Sequence, residues 1–315
     1  MIYDIVIIGA GTAGLSAGIY GVRAGKNVLI LEEKYYGGQI INTPHVANYP
    51  GIKNISGFEF ATNLYEQAIE LGAEIKYEKV TSITDYESEN CNSENYNKNK
   101  LKSVITEENT YNCKSVIIAT GAKNRKLGIE NENKFTGAGV SYCATCDGAF
   151  FKGKDVAVVG GGNTALEDAG FLAGYCNKVY LIHRRDEFRG EDKLVNILKE
   201  KNNVEFILNS AVTAIKGNDR VEYIEVKNLV SNEVSNITVS GVFIAIGQVP
   251  DNEIFKNVIM LDEKGYVKAD ETCKTNIEGI FTAGDCRTKK IRQLTTAASD
   301  GSVAALAACE YIGNI

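Results

Sequence analysis

The chain carries one glycine-punctuated pattern twice, and that repetition limits its fold more than any other feature. Ile2 to Ile8 is an apolar run ending in Gly9-Ala10-Gly11-Thr12-Ala13-Gly14. Helix-compatible residues follow to Ala24, and a second apolar run, Val28 to Leu31, ends at Glu32. The pattern returns about 150 residues later, where Val156 to Val159 leads into Gly160-Gly161-Gly162-Asn163-Thr164-Ala165. A helix to about Ala173 and a strand over Val179 to Ile182 complete the second copy. Strand, glycine turn, helix, strand at this spacing is a β–α–β unit. Two units predict an α/β chain with two Rossmann-like dinucleotide-binding domains, each a parallel sheet covered by helices. The length of 315 residues agrees, because single cores stop growing at a few hundred residues.

Other segments fit between these landmarks. Gly57 to Leu71 reads as an amphipathic helix, and residues 73 to 119 are strand-rich, interrupted by a polar stretch from Glu87 to Lys100 that reads as a loop or hairpin tip. Ser115 to Ala119 and Gly241 to Ile246 are buried-strand runs, each ending in a glycine turn, and they mark where the chain crosses between domains. A last strand, Ile280 to Ala283, meets Gly284-Asp285, and an alanine-rich helix covers about Leu294 to Tyr311.

Each turn has its own chemistry. A lone G-x-G-x-x-G is weak evidence, but Gly9-x-Gly11-x-x-Gly14 has a strand before it, a helix after it and a carboxylate at the end of the next strand. Gly9 permits the tight turn, Gly11 lets backbone approach a pyrophosphate, and Gly14 lets helix and sheet pack closely. The helix N-terminus offers N–H groups to phosphates, and Glu32 is placed to accept from an adenosine ribose. In the second unit Ala165 replaces the third glycine, and the second strand leads to His183-Arg184-Arg185 and Arg189, not to a carboxylate. Paired arginines grip a 2′-phosphate that an acidic residue would repel, so this turn predicts NADPH rather than NADH.

Cys143-Ala144-Thr145-Cys146 is the only cysteine pair at redox or metal spacing. A closed zinc site needs four ligands, and the chain offers no second C-x-x-C and only two histidines, His45 and His183, so no metal is expected. A dithiol/disulfide couple fits the pair better, with a flavin as the adapter between hydride donation and thiol chemistry. Asp147 follows directly and is the candidate proton donor and acceptor. The other six cysteines stand alone. A net charge of −6 argues against a nucleic-acid footprint, and no run approaches the ~18 apolar residues that span a bilayer. With no signal-peptide pattern before the first strand, the expected location is cytoplasmic.

The run Ser141-Tyr142-Cys143-Ala144-Thr145-Cys146-Asp147-Gly148-Ala149-Phe150-Phe151, followed by Val158-Val159-Gly160-Gly161-Gly162, strongly resembles the low-molecular-weight thioredoxin reductases of bacteria. The resemblance covers nearly the whole chain. It takes in Glu32 through Gly37-Gly38-Gln39, Asn48-Tyr49-Pro50-Gly51, Ala119-Thr120-Gly121-Ala122, the His183–Arg189 cluster, Thr282-Ala283-Gly284-Asp285 and Arg292-Gln293-Leu294-Thr295. It implies an FAD domain in two segments, 1–121 and 248–315, with an NADPH domain carrying the redox pair, 122–247, inserted between them. It also implies a homodimer and thioredoxin as the protein substrate. FAD contacts then fall on Gly9, Gly11, Thr12, Ala13, Gly14, Glu32, Gly38, Gln39, Asn48, Thr120, Gly121, Gly284, Asp285, Arg292, Gln293 and Leu294. NADPH contacts fall on Gly160, Gly162, Asn163, Thr164, Ala165, His183, Arg184, Arg185 and Arg189. By the same resemblance Cys146 faces the flavin, Cys143 attacks the partner's disulfide, and hinges near 121–124 and 247–251 let the inserted domain rotate. Two departures stand out: Asn163 where many members are acidic, and Gly190 where alanine is common. The alternative is a flavoprotein of the same fold with another donor, such as ferredoxin, or another disulfide acceptor. Against it stand the second glycine turn and arginine cluster, which ferredoxin-dependent members lack.

Overall fold

The computed structural model of the chain describes residues 1–85 and 101–314; the polar stretch expected as a loop over 87–100 lies outside them. The described chain forms two compact units, Met1–Lys123 together with Val249–Ile315, and Asn124–Gln248.

The first unit opens with β1 (Ile2–Ile8), α1 (Thr12–Arg23) and β2 (Val28–Glu32), the first predicted β–α–β unit. Then come α2 (Gly57–Glu70), β3 (Glu74–Tyr77), β4 (Val80–Asp85), β5 (Lys102–Thr106) and β6 (Thr110–Ile118). The Ser56 hydroxyl starts α2 by accepting from the Glu59 N–H at 3.1 Å. The strands lie in the order β3-β2-β1-β6-β5-β4. β1 is central and parallel to both β2 and β6, so the first glycine turn leaves the carboxyl end of a buried strand. The sheet is not wholly parallel as expected: β5 runs antiparallel to β4 and β6. The cause is local. The tight 107–109 turn, closed by the Asn109 N–H donating to Thr106 Oγ1 at 2.8 Å, allows only an antiparallel return.

β7 (Ala122–Asn124) leads into the second unit, which continues with β8 (Val140–Ser141), α3 (Ala144–Asp147), β9 (Asp155–Val159), α4 (Asn163–Leu172), β10 (Lys178–Ile182), α5 (Asp192–Lys199) and β11 (Val204–Ile207). Three strands follow, β12 (Ser210–Lys216), β13 (Tyr223–Asn228) and β14 (Val234–Thr238), and then β15 (Gly241–Ile244) and β16 (Gln248–Pro250). The order β11-β10-β9-β15-β8 is parallel throughout. Helices do not cover both faces. Leu166, Ala169 and Leu172 of α4 and Leu198 of α5 pack on one face, while Val212, Ile215, Ile224 and Val226 of the antiparallel β12–β13–β14 meander share a core with Ala157, Val159 and Val242. Burial in β13 alternates, so the meander presents one apolar edge-on row to the sheet as a helix would.

The chain returns to the first unit, where β17 (Ile280–Thr282) pairs in parallel with the carboxyl half of β6. α6 (Leu294–Gly313) closes the unit against α1. Contact is close because Gly301 lacks a side chain: a Cβ there would lie 2.2 Å from the Ala13 carbonyl oxygen. The two connections, β7 and β16, pair as a two-stranded sheet. Within the first unit Lys123 bonds Asp251 at 2.6 Å, and within the second Gln248 donates to Asn124 at 2.9 Å. No helix among the described residues is long and apolar enough to cross a membrane.

Gly301→Val is expected to lower stability by about 3 kcal/mol, the upper end of ordinary overpacking costs, because backbone and not a flexible side chain stands in the way. Thermal unfolding reads this, and a wild-type midpoint would mean that α1 and α6 do not meet here.

Candidate active site

The three glycines of the first turn do three separate things. Gly9 has φ +106°, and a Cβ there would meet the Ala119 carbonyl oxygen at 2.5 Å. A Cβ at Gly14 would fall 1.8 Å from the Gly9 oxygen, so helix and turn touch through backbone. Gly11 faces open space, with nothing within 4 Å of its missing side chain. α1 begins with no side-chain cap and no acidic residue in its first turn, so no side chain caps its first N–H groups. Glu32 fixes the turn from below: Oε2 accepts from the Ala10 N–H at 2.8 Å and Oε1 from the Lys34 N–H at 3.1 Å. Gly38 lies against Gly11, and the neighbouring Gly37 N–H bonds the Ala10 oxygen at 2.8 Å.

The remaining first-unit residues gather on the same framework. Gln39 donates to the Ala122 carbonyl, and Asn48 donates to Gln293 at 3.3 Å, joining the two chain segments. Thr120 donates to Asn252 at 2.8 Å, just before Gly121 turns the chain at φ +69°. The fully buried Asn252 in turn donates to the oxygens of Gly265 and Cys286. Asp285 differs from all of these. Its Oδ1 is buried with no hydrogen-bond partner, and burial pushes its carboxyl up while Lys289 and Arg292 pull it down. Such an acceptor calls for a donor from outside the chain. Arg292 lies 4.2 Å over the Tyr266 ring and bonds the backbone oxygens of Asp285 and Arg287. Gln293 and Thr296 form a capping box that starts α6 at Leu294.

Asp300 holds this segment in place. Its Oδ2 accepts from the Gly284 N–H at 3.0 Å, Arg287 Nε at 2.8 Å and Lys289 Nζ at 2.8 Å, and its Oδ1 from Arg287 Nη2 at 2.8 Å. Burial works to raise the carboxyl, but hydrogen bonds from Arg287 and Lys289 override it and hold Asp300 below the usual carboxylate range.

In the second unit the turn is packed as tightly. A Cβ at Gly160 would lie 2.6 Å from that of Ala165, and one at Gly161 would strike the His183 ring at 2.1 Å. His183 therefore serves as a prop beneath the turn: it is buried, stacks on Phe188 at 5.2 Å and bonds the Glu187 oxygen at 3.1 Å. Burial lowers its pKa, and the charges of Arg189, Arg184 and Arg185 lower it further. Gly162 is open, like Gly11. Asn163 exchanges two hydrogen bonds with Glu191, at 3.0 and 2.8 Å, tying the first residue of α4 to the basic loop. A Cβ at Gly190 would sit 2.4 Å from the end of the Leu166 side chain and 2.9 Å from Asn163 Oδ1, so a larger residue here would make those side chains shift. Arg184, Arg185 and Arg189 are exposed, with no ion-pair partner among the described residues, and Thr164 is exposed beside them in the turn.

Cys143 and Cys146 are joined as a disulfide, with Cα atoms 5.3 Å apart. Cys143 stands between β8 and α3, and the Cys146 N–H donates to its sulfur at 3.2 Å. Asp147 ends α3, with Oδ2 2.6 Å from the Ser141 hydroxyl; burial raises its pKa and the Ser141 bond lowers it.

Residues 3–301 match the family model for pyridine nucleotide-disulphide oxidoreductases. The thioredoxin reductase of Peptoclostridium acidaminophilum is 42% identical, covering 99% of this chain and 97% of its own. A 34.2 kDa protein in the rubredoxin operon of Clostridium pasteurianum is also 42% identical, over 98% and 97%. The chain belongs to the pyridine nucleotide-disulphide oxidoreductases, in the thioredoxin reductase family. Its fold superposes on the crystal structure of thioredoxin reductase from Streptococcus pyogenes with a TM-score of 0.93, at 39% identity, covering 100% of this chain and 99% of that one.

As a family member the chain is an oxidoreductase whose flavin and pyridine-nucleotide chemistry is implied by descent. The residues that sequence reasoning missed, Asn252, Arg287, Asp300, Glu191 and Ser141, bond to predicted ones rather than stand among them, and Lys289 joins them through Asp300. Only an isolated acidic residue inside the alanine-rich helix, Asp300, gave a signal that could have been read. Asp300→Ala is expected to cost about 3–5 kcal/mol, since it strands two buried cations. Denaturant unfolding measures the loss, and a change under 1 kcal/mol would show that the cluster is not structural.

Proposed function

We propose that the chain is a thioredoxin-disulfide reductase using NADPH as electron donor and FAD as resident cofactor. The observation that carries this reading is the Cys143–Cys146 disulfide beside Asp147, in the same unit as an open glycine turn and three exposed arginines with no ion-pair partner among the described residues. The name shared by the relatives supports thioredoxin as the acceptor. The first unit fits FAD: an open backbone cradle at Gly11, uncapped helix amides for phosphates, and a buried Asp285 oxygen awaiting a hydroxyl donor. When bound, the flavin supplies the conversion between hydride and dithiol electrons. A homodimer in the cytoplasm completes the reading.

The chain's own residues then act as follows. Arg184 and Arg185 grip a 2′-phosphate, with Arg189 beside them and Asn163–Glu191 holding the loop. In the dithiol state the Cys143 thiolate attacks one sulfur of the partner's disulfide, and the partner's other sulfur leaves as a thiolate. The Cys146 thiolate next attacks Cys143 Sγ, which forms the Cys143–Cys146 bond and releases the partner's second thiol. The Cys146 N–H directed at Cys143 Sγ favours negative charge on the attacking sulfur. Asp147 holds and releases the proton exchanged with the thiols.

Anaerobic titration tests the whole reading. NADPH should bleach the flavin at far lower concentration than NADH, and oxidised thioredoxin should restore it; bleaching by reduced ferredoxin alone would give the donor to the alternative. Cys146→Ser should keep flavin reduction by NADPH and lose thioredoxin turnover, and retained turnover would refute the dithiol mechanism. Arg184→Ala combined with Arg185→Ala should raise the KM for NADPH at least tenfold with little change for NADH. An unchanged preference would remove the arginines from phosphate binding.

A further inference from the structure

Among the described residues the Ser141 side chain donates to the Asp147 carboxylate, and Ser141 is 5% exposed, at the end of β8. Its hydroxyl makes three contacts: 2.6 Å to Asp147 Oδ2, 3.1 Å from the Cys143 N–H, and 3.3 Å to the Cys143 carbonyl oxygen. A hydroxyl has one proton and two acceptor positions. With Asp147 ionised, the serine proton goes to the carboxylate and the Cys143 N–H fills one acceptor position. With Asp147 protonated, the carboxylic acid donates to Oγ, the Cys143 N–H remains, and the serine proton turns to the Cys143 oxygen. In both states the Ser141 hydroxyl and Asp147 Oδ2 each keep a hydrogen-bond partner.

We propose that Ser141 is a positioning residue for the proton site of this reaction, reversing its hydrogen bond as Asp147 gains and loses a proton. It thereby keeps the Cys143 backbone fixed while the charge beside the disulfide changes. The inference rests on the reading of Asp147 as the proton-holding group, and it adds the residue that makes both of its states tolerable. Among the described residues no charged side chain bonds to the Asp147 carboxylate. Of the segments packed on α3, Gly148–Phe151 carries no titratable group, and α4 carries Glu167 and Asp168, neither of which contributes to the state of Asp147. On the β8 side, the Tyr142 hydroxyl is directed to Glu132 at 2.8 Å.

Infrared titration of the oxidised protein tests this directly, using the carboxylic acid C=O band that disappears in Asp147→Asn. Ser141→Ala removes a bond from both states, but the bond to the ionised carboxylate is charge-assisted and the stronger of the two, so the band's midpoint should rise by about one pH unit or more, a tenfold change in proton affinity. Ser141→Gly removes the same hydroxyl without adding bulk and should give the same rise should the alanine variant fold poorly, and Ser141→Thr should restore the wild-type midpoint. A midpoint unchanged in either hydroxyl-free variant overturns the proposal. The titration needs no electron donor or acceptor, so its outcome is separate from failure of the reductase reading, which would appear as wild-type protein unable to turn over thioredoxin.

Discussion

Asp300 is the point on which the first unit turns. A single carboxylate accepts from a backbone N–H, both arms of a guanidinium and an ammonium, all largely away from water. Removing two cations and an anion from water is costly, and only a full set of donors compensates. The pay-off is positional. Gly284, Arg287 and Lys289 are bound to one atom group on α6, so the short segment carrying Asp285 cannot shift independently of the helix whose first turn carries Gln293 and Leu294.

The same helix is held against α1 by the absence of side chains. Gly301 rests on the Ala13 carbonyl, and a Cβ at Gly284 would lie 2.7 Å from that of Ala13. Two chain segments separated by the whole second unit thus meet at Ala13, inside the first glycine turn. Backbone contact of this kind tolerates no rotamer adjustment, which suits a site whose donors are mostly main-chain N–H groups.

Three aspartates show how neighbours set the chemistry of a carboxyl. Burial raises all of them. Asp300 ends low because charged donors surround it. Asp147 stays raised with one neutral donor, Ser141, and Asp285 stays raised with one oxygen unpaired. The carboxyl that is fully bonded serves the architecture; the two that are not are those suited to exchange a proton or receive a ligand.

Much was legible in the sequence because it depends on local constraints. A glycine at positive φ, a strand flanked by apolar residues and a cysteine pair one turn apart leave a pattern in consecutive residues, so both β–α–β units, the last helix and the redox pair could be read directly. The β12–β14 meander could not, since either face of the second sheet can be covered by any apolar row of suitable period. Long-range polar partners were hidden for a related reason: nothing in the residues near Gly284, Asn163 or Asp147 says that Asp300, Glu191 and Ser141 will supply their hydrogen bonds. Sequence determined which chemical groups this protein has and the turns that carry them. Tertiary structure alone decided which of those groups are satisfied and which are left to act, because desolvation and hydrogen bonding are properties of packed neighbours and not of chain order.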